Sequence, residues 1–200
     1  MFNKKKVLLE ATGITIDLHS NTAYFNKGFV GKEELMKRAP KGKLASNPNM
    51  IILGLCNFKE TTEKFIVSIY QLVGLNMIDA VRTQGHEETH AMQYLGQLSR
   101  LYTELEKRGI ETNVVSKNYA VHYDLIAQRV LNKNASKEEN RFIRNPEYFG
   151  EREKLRREVI ADFGGLIALE NVYPDLNIER ARDVVLERDH DWSRLMKIIE

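Results

Sequence analysis

Residues 85–96 read Gly85-His86-Glu87-Glu88-Thr89-His90-Ala91-Met92-Gln93-Tyr94-Leu95-Gly96. His86 and His90 stand four positions apart, close to one helical turn, so on a helix both imidazoles leave the same face and can converge on one ion. Glu87 lies about 100 degrees around such a helix from His86, where it borders an ion without binding it. His-Glu-x-x-His on a helix is the arrangement that holds zinc with a glutamate beside it as general base. Glu88 points elsewhere and is expected to face solvent. The competing reading is a polar helix face with two ordinary histidines, so further ligands must come from the rest of the chain.

Working outward, Met77, Ile78, Val81, Met92, Leu95, Leu98, Leu101 and Leu105 continue the helical period. They predict one long helix over 76–107, closed by Gly109, with the histidines at least a turn from either end. Upstream, Phe65, Ile66, Ile69, Leu72 and Val73 follow i, i+3, i+4 spacing behind Thr61 or Thr62, which predicts a helix ending at Gly74. Downstream, helices are expected over 118–131, 147–171 and 178–187, with Pro174 as a break and a last short one near Asp191. The polar stretch 132–146 reads as a connector. Toward the N-terminus, Ile14, Ile16 and Leu18 alternate with polar residues, Ser20-Asn21 offers a turn, and residues 22–25 return as β-formers, a hairpin pattern. A short helix over 32–37 and a third strand over 49–55 complete the list. The fold class is α+β: a small N-terminal sheet within about 10–56, then a mostly helical part over 60–200, in one domain spanning 1–200.

A 42% hydrophobic content over 200 residues suffices for one good core. The formal charge of +2 leaves no general case for nucleic acid as a partner. Cys56 is the single cysteine, which excludes an internal disulfide and a Cys-rich zinc site; within an apolar run it is expected to pack as a small core residue. The apolar stretch after Lys4-Lys5-Lys6 is too short for a signal peptide, and nothing approaches the roughly 18 apolar residues of a spanning helix. A cytoplasmic protein with no membrane partner is the expectation, with oligomeric state left open.

A catalytic zinc takes three protein ligands and keeps one open position. Gln93 and Gly96 stand where a metzincin places Gly and His, which rejects that class. Glu158 and Asp162 lie at i and i+4 in Arg157-Glu158-Val159-Ile160-Ala161-Asp162-Phe163-Gly164-Gly165, among apolar neighbours that make unpartnered carboxylates costly. Glu158 is the candidate third ligand, and Asp162 the acceptor that orients a ligand imidazole. The small residues Ala161, Gly164 and Gly165 would let this helix approach the first one closely. His122 and Asp124 are rival ligands. His19, at the hairpin turn, and His190, beside Trp192 in a charged tail, are expected to be solvated.

His86-Glu87-Glu88-Thr89-His90 together with Glu158-Val159-Ile160-Ala161-Asp162 resembles the gluzincin metallopeptidases. The second element is similar to the E-x-x-A-D helix of CAAX prenyl-peptidase relatives and to the glutamate helix of small soluble peptidases that cleave phage repressors. The resemblance covers the two motif helices, about 86–96 and 155–168. It departs from thermolysin-like enzymes in how late Glu158 follows, which keeps residues within 118–150 open as the third ligand; the prenyl-peptidase relatives also span membranes. The resemblance implies a zincin-like helical domain and Zn2+ held by His86, His90 and Glu158. It also implies peptide-bond hydrolysis with Glu87 as general base, and a His or Tyr, here His122 or Tyr148, at the oxyanion. The partner is then a protein or peptide substrate, aligned along an edge strand such as 49–55. The alternatives are a non-catalytic zinc-binding or interaction module, and the same chemistry used as a secreted effector or toxin. The charged stretch 133–157, with Arg141, Arg144, Arg152, Arg156 and Arg157, reads either as a solvated surface offset by glutamates or as a contact for an acidic partner.

Overall fold

The computed structural model describes residues 6–9, 11–18, 22–38, 53–62 and 64–186. Two small sheets and a set of helices form an α+β fold. Strands β1 (Lys6–Leu9) and β2 (Thr15–Leu18) pair antiparallel, and the other sheet has the order β3-β5-β4, with β3 (Thr22–Val30), β4 (Gly54–Glu60) and β5 (Phe65–Leu72). Strand β5 is central, parallel to β3 and antiparallel to β4. The expected hairpin between 14–18 and 22–25 is therefore not formed: β2 takes β1 as its partner and β3 joins the other sheet. Alternation specifies which residues face the core but not which strand lies alongside, and that choice is tertiary.

The segment expected as a helix over 61–73 is strand β5. Its run Phe65-Ile66-Val67-Ser68-Ile69-Tyr70 is rich in β-branched and aromatic side chains, and Phe65, Val67, Ile69 and Gln71 are buried with a period of two. Over so short an apolar run the two periods share many positions. A tight turn delivers β5 from β4: the Thr61 backbone N–H donates to the Lys64 carbonyl at 2.7 Å, and the Thr61 hydroxyl accepts from Lys64 N–H at 3.0 Å. The strand expected over 49–55 overlaps β4 only at its end, and residues 49–52 lie outside the described residues, as do Ser20, Asn21, His19, His190, Trp192 and the short helix near Asp191.

The helices are α1 (Lys32–Arg38), α2 (Met77–Leu95), α3 (Leu98–Lys107), α4 (Lys117–Leu131), α5 (Lys137–Arg144), α6 (Glu151–Val172) and α7 (Ile178–Leu186), with a 3-10 turn at Pro146–Phe149. The single helix expected over 76–107 is broken at Gly96. That residue adopts φ +64°, a left-handed conformation glycine takes without strain, and the Gln97 N–H reaches back to the Met92 carbonyl at 2.9 Å. Asp124 then opens α3 by accepting from Leu98 N–H (2.6 Å) and from both the N–H (2.9 Å) and hydroxyl (2.6 Å) of Ser99. The expected connector 132–146 contains α5, whose start is a capping box between Ser136 and Glu139.

The core runs between β5, α2, α3 and α6, with Val67, Ile69, Met92, Leu95, Leu98, Leu101, Phe163, Leu166 and Ile167 all buried. Helices α2 and α6 pack backbone to backbone. A Cβ on Gly85 would meet the Gly164 carbonyl oxygen at 2.5 Å, and a Cβ on Gly164 would meet the Thr89 hydroxyl at 1.8 Å. A Cβ on Gly165 would meet the Arg82 carbonyl oxygen at 3.0 Å, a looser contact. Polar contacts fasten the first sheet to this core. Glu88, fully buried rather than facing solvent, accepts from the backbone N–H groups of Ala11 (3.1 Å) and Thr12 (3.2 Å) and from Gln84 (2.6 Å). Gln97 pairs with both backbone groups of Asp17. Among the described residues no helix is long and apolar enough to cross a membrane.

Candidate metal centre

The close approach of α2 and α6 puts one face of each helix in register. His86 and His90 project from α2, Glu158 projects from α6, and one ligand atom of each lies within 4.8 Å of the other two. His86 Nε2 is 3.5 Å and His90 Nε2 3.6 Å from the same Glu158 Oε2. Three donors around one small cation at bonds of about 2 Å would stand roughly 3.3 Å apart in a tetrahedral arrangement, close to these separations.

The other ring nitrogens decide what the Nε2 atoms present. His86 Nδ1 lies 2.8 Å from Asp162 Oδ1, on a side chain only 3% exposed. His90 Nδ1 lies 2.9 Å from Gln93 Oε1. The orientation of that amide is fixed independently, since Gln93 Nε2 donates to the Arg157 carbonyl at 3.2 Å while Oε1 also accepts from Arg157 Nε at 3.4 Å. Both partners of Nδ1 are acceptors, so in the neutral rings the proton sits on Nδ1 and the Nε2 lone pair faces Glu158. Two lone pairs and a carboxylate oxygen then point at one space, an arrangement that a positive charge between them would favour. This donor set fits a divalent cation.

Electrostatics agree with that demand. Burial works against the His86 imidazolium, but bonds to Asp162 and Glu158, with the charges of Asp162 and Glu87, outweigh it and hold the ring well above its ordinary value of 6.5. Burial would raise the Glu158 carboxyl, yet the charge of His90 and the bonds from His86 and His90 hold it well below its usual range. A proton or a divalent cation would answer the same need, and the two would exclude each other at His86 Nε2.

Glu87 is 7% exposed and faces the start of β4: a Cβ on Gly54 would meet Glu87 Cγ at 2.8 Å and Oε1 at 2.9 Å. Its charge acts on His86 and, on the other side, on Cys56, whose thiol is pushed well up, first by burial and then by Glu87. Cys56 packs half-buried against the core. Strand β4 pairs with β5 alone among the described residues. Because the Leu72 N–H bonds the Leu53 carbonyl, alternation turns the N–H and C=O of Gly54, Cys56 and Phe58 away from β5. Among the described residues, an unpaired strand edge therefore begins beside Glu87.

The rival ligands are elsewhere. Asp124 is engaged at the start of α3, and His122 is exposed on α4. The Tyr148 hydroxyl accepts from Arg141 Nη1 at 2.9 Å, under whose guanidinium its ring lies. Neither His122 nor Tyr148 belongs to the converging set of His86, His90 and Glu158. The residues that sequence reasoning missed are Gln93, Tyr94 and Arg157. Gln93 follows His90 by three positions and Tyr94 by four, so helical spacing alone puts them beside the site. Arg157, 3% exposed, donates to the Ile143 carbonyl at 2.9 Å and lies over the Tyr94 ring at 5.2 Å, placing a buried cation next to Glu158. Searches of protein families, curated proteins and solved structures found nothing that matches this chain.

Proposed function

We propose that this protein is a zinc-dependent endopeptidase of the gluzincin kind. The observation that carries the reading is the convergence of His86 Nε2, His90 Nε2 and Glu158 on one point, with Glu87 beside it and an open strand edge in front. Imidazole and carboxylate donors without thiolate, three in number, suit a catalytic rather than a structural zinc. When bound, the metal supplies a water acidified toward neutrality and a Lewis acid for the substrate carbonyl.

The chain's own residues then divide the work. Asp162 and Gln93 hold the two rings in the tautomer that offers Nε2. Arg157 sets a buried positive charge against Glu158. Glu87 Oε accepts the proton released by the attacking water and passes it to the amine that leaves. The outward N–H and C=O groups of Gly54, Cys56 and Phe58 pair with an extended peptide and set its scissile bond against Glu87. His122 and Tyr148, the residues implied for the oxyanion, gain no support from their placement.

The test is Glu87→Gln. The amide keeps the size of the side chain but cannot take a proton, so cleavage of a peptide library should fall by at least about a hundredfold while zinc per chain, by elemental analysis, is unchanged. Unchanged turnover would end the peptidase reading. Zinc bound with no turnover in either protein would favour a non-catalytic zinc module.

A further inference from the structure

A second cluster of charge lies at the far end of the open strand. Lys133, Lys137, Arg141 and Arg144 line a surface cavity of about 440 Å³ together with Asn140 and a single carboxylate, Glu60, the last residue of β4. Glu60 is engaged by Arg144 at 2.5 Å, which leaves three cations in the cavity without a carboxylate among its lining residues.

Neutral groups also position three of the four cations. Arg141 is held over the Tyr148 ring at 4.7 Å, and Arg144 lies over the rings of Phe58 (5.8 Å) and Phe65 (5.6 Å) on β4 and β5. Lys133 Nζ donates to the Thr62 carbonyl at 3.1 Å, in the turn after β4. Guanidinium planes fixed on aromatic faces keep their outer N–H groups available for carboxylate or phosphate oxygens.

Lys133 adds an independent observation. Helix α4 ends in a Schellman motif, with Lys133 N–H bonded to the Val130 carbonyl at 3.0 Å and Asn134 N–H to that of Arg129 at 2.8 Å. The left-handed position of that motif is normally glycine, yet here it is a lysine at φ +58°, the one non-glycine residue with positive φ among those described. A long cationic side chain thus stands where the backbone disfavours it, on a residue that lines the basic cavity.

We propose that this cavity binds an acidic segment of the peptide that lies along β4. The inference rests on the peptidase reading for its direction. From Gly54, beside Glu87, to Glu60 is six strand steps, about 20 Å at roughly 3.3 Å each. The preferred substrate therefore carries glutamate, aspartate or a phosphorylated residue about six positions from the cleaved bond. A connection also runs between the two sites: Arg157 bonds the Ile143 carbonyl on α5, between Arg141 and Arg144, and Gln93 beside His90.

Binding is measured first, by fluorescence anisotropy on the full chain, with a labelled decapeptide bearing four glutamates against its glutamine counterpart. The acidic peptide should bind at least about tenfold more tightly, with a steep loss as salt rises. The double variant Lys137→Glu, Arg141→Glu, both at exposed positions, should remove that preference. Lys133→Gly should weaken the acidic peptide severalfold while raising Tm by a few degrees, a pairing that a merely structural lysine would not produce. Equal binding of both peptides, or a preference that survives the double variant, overturns the proposal. So does tighter binding of inorganic phosphate or of a single-stranded oligonucleotide than of the acidic peptide, since the cavity would then serve a different anion.

Cleavage separates the two readings. Glu87-dependent cleavage of acidic and glutamine substrates at equal kcat/KM overturns the acidic preference and leaves the peptidase standing. No cleavage of any peptide, alongside acidic binding that the variants abolish, removes the peptidase and leaves the cavity an acidic-peptide site.

Discussion

At the scale of single residues, a metal bound at the proposed site would compete with a proton for His86. Its ring is held well above 6.5 by Asp162 and Glu158, so in zinc-free protein its pKa rises on folding. A group with a raised folded pKa stabilises fully below its unfolded value and loses that contribution as pH climbs through the folded one. Zinc-free protein should therefore lose stability as pH rises from about 6.5 through the raised value, read by denaturant titration at a series of pH values. Zinc affinity should rise over the same window, because binding must displace that proton. Flat profiles in both measurements would mean that His86 does not hold its proton in this way. Glu158 has the opposite sign: its depressed carboxyl contributes above its ordinary value of 4.5, and that contribution is lost as pH falls through the lower folded value. Gly54 is the other residue-scale constraint. Gly54→Ala places a methyl group within 3 Å of the Glu87 side chain, so turnover should fall at least about tenfold with little change in bound zinc.

At the scale of elements, the metal geometry depends on how closely α2 and α6 can approach. Gly85 and Gly164 let the two backbones touch, and that contact brings Glu158 within reach of both histidines. Gly164→Ala would drive a methyl group into Thr89 and part the helices; overpacking of this kind costs about 1–3 kcal/mol. Chemical denaturation should show that loss, and zinc affinity should fall with it although no ligand has changed. A variant with wild-type stability and affinity would show that the contact is not what sets the site. Ala161, Gly164 and Gly165 were legible as a close-packing signal on one helix. Gly85, their counterpart, was not, because directly ahead of the His-Glu-x-x-His stretch it reads only as a helix glycine.

At the scale of the whole molecule, zinc held by His86, His90 and Glu158 would add a further tie between α2 and α6, which already meet through packing and the His86–Asp162 and Gln93–Arg157 hydrogen bonds. A ligand that binds only the folded state stabilises it by mass action, by about 2.7 kcal/mol at one hundred times its Kd. Zinc should raise the Tm of the wild type by several degrees and leave that of Glu158→Ala nearly unchanged, as followed by calorimetry. An equal rise in both proteins would move the third ligand away from Glu158. The α+β class, the helices expected over 118–131 and 147–171, which form as Lys117–Leu131 and Glu151–Val172, and the spacing of Glu158 and Asp162 were readable in the chain, because helical period and i, i+4 spacing are local properties. What failed was non-local. Phe65–Leu72 carries an apolar pattern that suits either period, and only its place between β3 and β4 makes it a strand. Glu88 looked like a solvated neighbour of the motif until the turn at Ala11 and Thr12 arrived to donate to it. The sequence by itself determined which residue types stand one helical turn apart, and so which of them share a face. Tertiary structure decided which faces meet, because strand partners, buried acceptors and the distance from Glu158 to His86 depend on contacts between segments far apart in the chain, which no local period encodes.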